Sequence, residues 1–237
     1  MIYLPGMTYI LVAMVSALLV QPAAQAKPGP WKSLFDGKSL AAWRIFKTDT
    51  APKMCETPGA KDCWEITDGV LHKDGHANDI ASKEQFGDFE LELEWKIGDA
   101  SNSGVFYRGT DEFNQIYWSA PEYQLLDNVN AADNKKDNHL AGSVYDLYAV
   151  PKDAAKANEW NKTRIVAKGT HVEHWLNGKK VASYDVGSAG WDTAIAASKF
   201  DPKKYPNFGK APKGYLGIQG DHPGTLALRN IRIRELR

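Results

Sequence analysis

Nine consecutive residues, Phe89-Glu90-Leu91-Glu92-Leu93-Glu94-Trp95-Lys96-Ile97, alternate apolar and charged without a break. A side-chain period of two belongs to an extended strand, so Phe89, Leu91, Leu93, Trp95 and Ile97 share one face and the charges share the other. A helix would scatter both sets around its axis. The segment predicts a half-buried antiparallel strand, one face on a core and one in water. Glu90, Glu92 and Glu94 also read as an acidic active-site row, but alternating charge is what such a strand shows to solvent, and the pattern assigns them there.

The rest of the chain has the same character at shorter length. Strands are expected near 64–66, 69–72, 104–108, 143–149, 160–167, 171–176, 179–184, 215–219 and 226–236, bounded by Gly, Pro, Asn and Asp. Asn177-Gly178 marks a hairpin, because a type I′ turn needs positive φ at both central residues. In the last strand the apolar phase moves from Leu226/Leu228 to Ile231/Ile233, which predicts a bulge near Arg229-Asn230. Two stretches carry no strand pattern, 129–140 and 187–213, and structureless segments of that length inside a domain are usually functional. About ten strands without βα alternation predict an all-β fold, a jelly-roll sandwich of two antiparallel sheets. The 43% of hydrophobic residues can fill its core as one domain.

Residues 1–26 differ in character from the remainder of the chain. An apolar run from Tyr9 to Val20 is followed by Ala24-Gln25-Ala26, the pattern of a secretory signal peptide with its cleavage site, although no Lys or Arg precedes the run. The run is short for a bilayer span, so a mature chain of residues 27–237, free of the membrane and located in the periplasm or outside the cell, is the expectation. Cys55 and Cys63 flank Thr57-Pro58-Gly59, and in an oxidising compartment they should form a disulfide stabilising a small loop by about 2 kcal/mol. Lys plus Arg and Asp plus Glu both number 29. That balance leaves no basic field for nucleic acid.

The chemistry concentrates in Glu122-Tyr123-Gln124-Leu125-Leu126-Asp127. Glu122 and Gln124 share a strand face, and Asp127 joins them only if a bulge lies near Leu125-Leu126. The spacing is that of the E-x-D-x-x-E strand of laminarinase-type and lichenase-type glucanases, with an amide for the middle acid. A retaining glycosidase needs two carboxyl groups about 5 to 5.5 Å apart, which the bulge would have to provide. His222, in the turn Gln219-Gly220-Asp221-His222-Pro223-Gly224, titrates near neutral pH and can shuttle protons. Arg108, Gln124, His139, Tyr145 and Gln219 are the substrate-binding candidates, and Trp118 and Trp160 offer further aromatic surface for sugar rings. His171 and His174 lack partners at metal-ligand spacing, and the Asn- and Asp-rich loop after Asp127 lacks the order of an EF-hand. Without G-x-S-x-G, a P-loop or G-x-G-x-x-G, serine hydrolase, NTPase and dinucleotide enzyme are set aside.

Taken in order, Leu34-Phe35-Asp36-Gly37, Gly87-Asp88-Phe89-Glu90-Leu91, Asn102-Ser103-Gly104-Val105-Phe106-Tyr107-Arg108, Glu122 to Asp127, Trp160-Asn161, His174-Trp175-Leu176-Asn177-Gly178 and Arg229-Asn230-Ile231-Arg232-Ile233 closely resemble the 3-keto-disaccharide hydrolase family. The likeness spans about residues 31 to 237, the mature chain. It implies a concanavalin A-like jelly roll that cleaves 3-keto-glycosides or 3-keto-disaccharides. A ketone at C3 acidifies the C2 hydrogen, so a base removes it, the C1 aglycone leaves by elimination, and water adds back. Glu122 or Asp127 is then the base, His222 the acid, and Arg108, Gln124 or a divalent cation the stabiliser of the enolate. The family's Gln-Asp-His-Gly turn is here lengthened by Gly220. Two other readings remain open, a non-catalytic carbohydrate-binding module and a conventional retaining β-glucanase.

Overall fold

The computed structural model describes residues 1–2 and 27–237, and the leader expected over 1–26 lies, apart from its first two residues, outside them. Among the described residues thirteen strands form two antiparallel sheets. In chain order they are β1 (Lys32–Ser33), β2 (Trp43–Ile45), β3 (Cys63–Thr67), β4 (Val70–Asp74), β5 (Ile80–Phe86), β6 (Phe89–Ile97), β7 (Asn102–Gly109), β8 (Glu122–Leu126), β9 (Asn161–Lys168), β10 (His171–Leu176), β11 (Lys179–Asp185), β12 (Gly214–Ile218) and β13 (Thr225–Glu235). The larger sheet runs β11-β10-β9-β6-β13-β4-β3, with β1 also on β13, and the smaller runs β2-β5-β12-β7-β8.

β6 shows how the pattern becomes structure. Phe89, Leu91, Leu93, Trp95 and Ile97 are each at most 2% exposed and form part of the core between the sheets. The opposite face is an ion-pair ladder, in which Glu90 meets Arg164 and Arg234, Glu92 meets Lys162 and Arg232, and Glu94 meets Arg229. Arg229, Arg232 and Arg234 stand directly opposite these glutamates on β13. The glutamates are therefore solvent-side structure and not an acidic site. Trp31, Trp160 and Trp175 each lie under an arginine of this ladder, at 3.9 to 4.6 Å from the guanidinium carbon.

The β13 bulge is where the apolar phase places it. The register with β6 shifts between Arg229 and Arg232, Asn230 takes φ 54°, and Leu226, Leu228, Ile231 and Ile233 all face the core. Asn177 (φ 50°) and Gly178 (φ 81°) close the β10–β11 hairpin. Cys55 and Cys63 are bonded, at 2.05 Å.

Two expectations fail locally. Segment 143–149 is no strand, since only Val144 and Tyr148 make bridges. Its backbone instead caps the free edge of β8, with Tyr145 N–H donating to Glu122 O and Gln124 N–H to Ser143 O, and it turns away at Asp146, whose φ is 59°. The stretch 187–213 contains a helix, α1 (Ala189–Ala196), started by Ser188 Oγ accepting from Trp191 N–H and held down by buried Trp191 and Ile195. The Ser cap and the i, i+4 pair are sequence signals for it.

Two substitutions one pleat apart should separate the faces of β6. Trp95→Ala should cost about 3–5 kcal/mol of unfolding free energy through the cavity it leaves, whereas Glu92→Ala should cost about 1 kcal/mol or less because its partners turn to water. Urea midpoints of both variants measure this. Equal losses would refute the division of labour.

Candidate active site

The smaller sheet carries a cross-strand row, Arg44↔Ala81↔Gly217↔Phe106↔Glu122, built by the registers of β2, β5, β12, β7 and β8. These residues lie on the face away from the main core. A 3₁₀ turn, Ile116–Trp118, packs onto the middle of the row through Ile116, which clusters with Phe46, Ala81, Phe106 and Ala120. Gly109 and Gly217 make room for it, since a Cβ at either would come within 2.7 Å of the Ile116 side chain. With the middle covered, the Glu122 end of the row becomes the floor of a walled cleft of about 260 Å³.

Glu122 folds over β7 because residue 104 is glycine. A Cβ there would stand 2.0 Å from Glu122 Oε1. The residue is 6% exposed, and burial pushes its carboxyl from an ordinary 4.5 up to about 8, a rise opposed by the charges of Lys199 and His222. Gln124, two residues along, is fully buried on the same face, and neither its Oε1 nor its Nε2 has a partner. Asn102 Oδ1 and Gln219 Oε1, also in the cleft wall, are likewise buried and unpartnered. Buried amides without partners are costly, so a cleft lined with them is prepared for hydrogen bonds from a polar ligand.

The opposite side brings charge and aromatic surface. His222 Nδ1 is 2.7 Å from Asp221 Oδ1, and that bond raises the imidazole above its usual range against the effect of burial. Lys199 Nζ sits 4.4 Å from the Tyr145 ring centre, with Tyr117 and Trp118 within 6 Å. Asp133 accepts from Tyr145 Oη at 2.8 Å and lies 2.8 Å from His139 Nδ1, whose Nε2 is 2.9 Å from Asp146. Asp146 also accepts the backbone N–H of Lys199.

The cleft thus unites Glu122, Gln124, Tyr145, Gln219 and His222, together with Trp118. His139 stands behind it, stacked on Tyr145 and holding Asp133. Asp127 is a correction. β7 and β8 pair without a register shift, so the bulge at Leu125-Leu126 is absent, and Asp127 lies past the strand end with Oδ2 accepting from Ala100 N–H and Oδ1 from Val129 N–H. Burial would raise its carboxyl, but these N–H groups hold it low. It braces the β6–β7 turn, where Ala100 has φ 54°.

Arg108 is a second correction, since it donates to Gly87 O, Gly169 O and Asp88 and turns at φ 54°. Trp160 lies on the outer face of the larger sheet. His171 pairs with Asp185, and His174 is sealed between Tyr107 Oη and Gly142 O, pushed down to about 4 by burial. Asp133, Lys199, Tyr117 and Asn102 carry no sequence signal that marks them as site residues. Asp133 and Lys199 come from the two stretches whose length pointed to function, but nothing local selects them there. Among the described residues no three His, Cys, Asp or Glu side chains gather as a cation site, and Asp133 is already engaged, so no step is assigned to a metal. A larger groove of about 630 Å³ lies on the ion-pair face of the larger sheet, where Glu92 is paired with Lys162 and Arg232, Glu94 with Arg229, and Asp36 accepts the backbone N–H groups of Lys38 and Ser39.

Residues 30–234 match the profile of a family described as the 3-keto-alpha-glucoside-1,2-lyase-like domain. The chain is 36% identical to a 3-keto-disaccharide hydrolase of Bacteroides thetaiotaomicron, over 86% of this chain and 78% of that protein. A Parabacteroides distasonis crystal structure that carries a provisional glycosyl hydrolase name aligns with TM-score 0.76 at 29% identity, over 88% of this chain and 94% of that one. An endo-beta-1,3(4)-glucanase of family GH16 aligns with TM-score 0.51 at 8% identity, over 92% and 95%, which establishes a shared sandwich fold.

The Glu122 carboxyl makes stability depend on pH in a defined direction. Between 4.5 and about 8 the folded chain holds a proton that the unfolded chain releases, so stability falls as pH rises through that window. Glu122→Gln should remove this contribution, and its stability advantage over the parent should grow from pH 5 to pH 8. Parallel thermal melts across that range test it, and curves that stay parallel would refute the burial of an ionisable group here.

Proposed function

Because the chain belongs to the 3-keto-alpha-glucoside-1,2-lyase-like family, we propose that it cleaves glycosidic bonds of sugars oxidised at C3, with Glu122 as base and His222 as acid. The observation that carries this reading is a desolvated carboxyl facing a hydrogen-bonded imidazole across a cleft of unpartnered amides. Burial keeps the ionised form of Glu122 scarce at neutral pH, yet makes each ionised carboxylate a stronger base. It removes the C2 proton, which the neighbouring ketone has acidified. The electron pair moves to O3, where Lys199 and the Gln124 amide N–H stabilise the enolate. The enolate re-forms the ketone as the C1–O bond breaks, and His222 gives its proton to the departing oxygen. This leaves a double bond between C1 and C2. Addition of water across it places hydroxyl at C1 and hydrogen at C2, for net hydrolysis. Stopping before hydration gives a lyase, so the two activities named among the relatives differ by this last step.

Asp127, the second acid a retaining glucanase would need, has both oxygens on backbone N–H groups, which weighs against that mechanism. The substrate is a small carbohydrate. The reading includes export, which the disulfide suits.

A 3-keto-glucoside should be turned over and its unoxidised parent should not. Deuterium at C2 should slow the reaction, and Glu122→Gln and His222→Ala should each lower kcat by about 10²–10⁴-fold. Cleavage of the unoxidised sugar alone would refute the elimination. Sugar binding that survives Glu122→Gln without any turnover would mark a binding module.

A further inference from the structure

Asp221 and His222 are sequence neighbours whose side chains nonetheless bond, at 2.7 Å. In an extended chain they would point to opposite sides, so the bond exists only while the turn from Gly220 to Gly224 keeps its shape. That turn is gripped from beneath by the segment from Lys73 to Asp79. Asp79 reads its first residues, with Oδ1 accepting from Gly220 N–H at 2.8 Å and Asp221 N–H at 3.1 Å. Lys73 reads its last, with Nζ donating to His222 O at 2.5 Å and Gly224 O at 3.3 Å, and also to Gly75 O at 2.8 Å. All three donors of the ammonium are used. Gly220 presses against the same segment, where a Cβ would meet Asn78 O at 2.4 Å, and its carbonyl accepts from Ala77 N–H.

Lys73 shares its strand face with Leu71, on the core side of β4, and is 2% exposed. It reaches the site from the opposite sheet. Burial pushes its ammonium down to about 8, against the charges of Asp221 and Asp74. A buried cation is expensive, and one that gives two of its three donors to a single turn and the third to the segment packed against it has a local purpose.

We infer that Lys73 is a positioning residue for the acid: by binding the His222 and Gly224 carbonyls it fixes the turn in the one shape that joins Asp221 to the His222 ring. The inference rests on the role proposed for His222, and its test separates the two. The His222 ring is titrated by NMR in the folded parent, Lys73→Met and Lys73→Gln. Loss of a nearby cation alone would raise the imidazole pKa. Loss of the Asp221 bond lowers it, and Lys73→Met should lower it toward about 6.5, with Lys73→Gln, which still offers an amide donor, in between. On a 3-keto-glucoside Lys73→Met should reduce kcat about tenfold to a hundredfold with KM within about twofold.

An imidazole whose titration is unmoved or raised in Lys73→Met overturns the inference, as does an unchanged kcat. A lowered titration in a protein whose parent leaves the keto-sugar intact supports the positioning role and refutes the proposed reaction. Should Lys73→Met fail to fold, Lys73→Gln decides by the same titration.

Discussion

A carboxyl stripped of water on the open face of a sheet sets the terms for everything near it. Glu122 occupies that place because Gly104 leaves it the volume of a side chain, and because the Ile116–Trp118 turn keeps solvent from the rest of the row. The cost falls on the folded state, as it commonly does at sites kept for chemistry. It explains the company the group keeps. Lys199 and His222 supply opposing charge, while Gln124, Gln219 and Asn102 are held with hydrogen-bonding capacity unused. None of these would be retained by packing alone.

The two sheets divide the work. On the larger one, each acid of β6 has an arginine or lysine across the strand, and the resulting ladder pairs these charges across the face. On the smaller one, the outward face is interrupted by glycines at 104, 109 and 217, where side chains from loops and from β8 come down onto the backbone. The sandwich is stabilised by one sheet and opened to chemistry by the other.

What the sequence made legible was whatever is written in a local period. The alternation of β6, the Asn177-Gly178 turn, the phase slip in β13 and the pairing of Cys55 with Cys63 needed no tertiary knowledge. Glu122, Gln124 and His222 were legible for the same reason, as polar residues at strand or turn positions. Asp127 was not, because a phase mismatch has two solutions. A bulge can return the residue to the sheet, or the strand can simply end, and the free N–H groups of Ala100 and Val129 favour the second. Arg108 was misread because a left-handed backbone turned its side chain toward three acceptors that only the fold assembles. Lys199 and Asp133 arrive from segments without periodicity, so only their loops could be flagged.

The small cysteine loop connects to the site by a short path. Asp62, next to Cys63, accepts from His76 N–H at 2.6 Å, and His76 Nδ1 lies 2.5 Å from Asp221 O. A shift of the stapled loop therefore has only two side chains to cross before it reaches the main chain of Asp221, the residue whose carboxylate bonds the His222 ring.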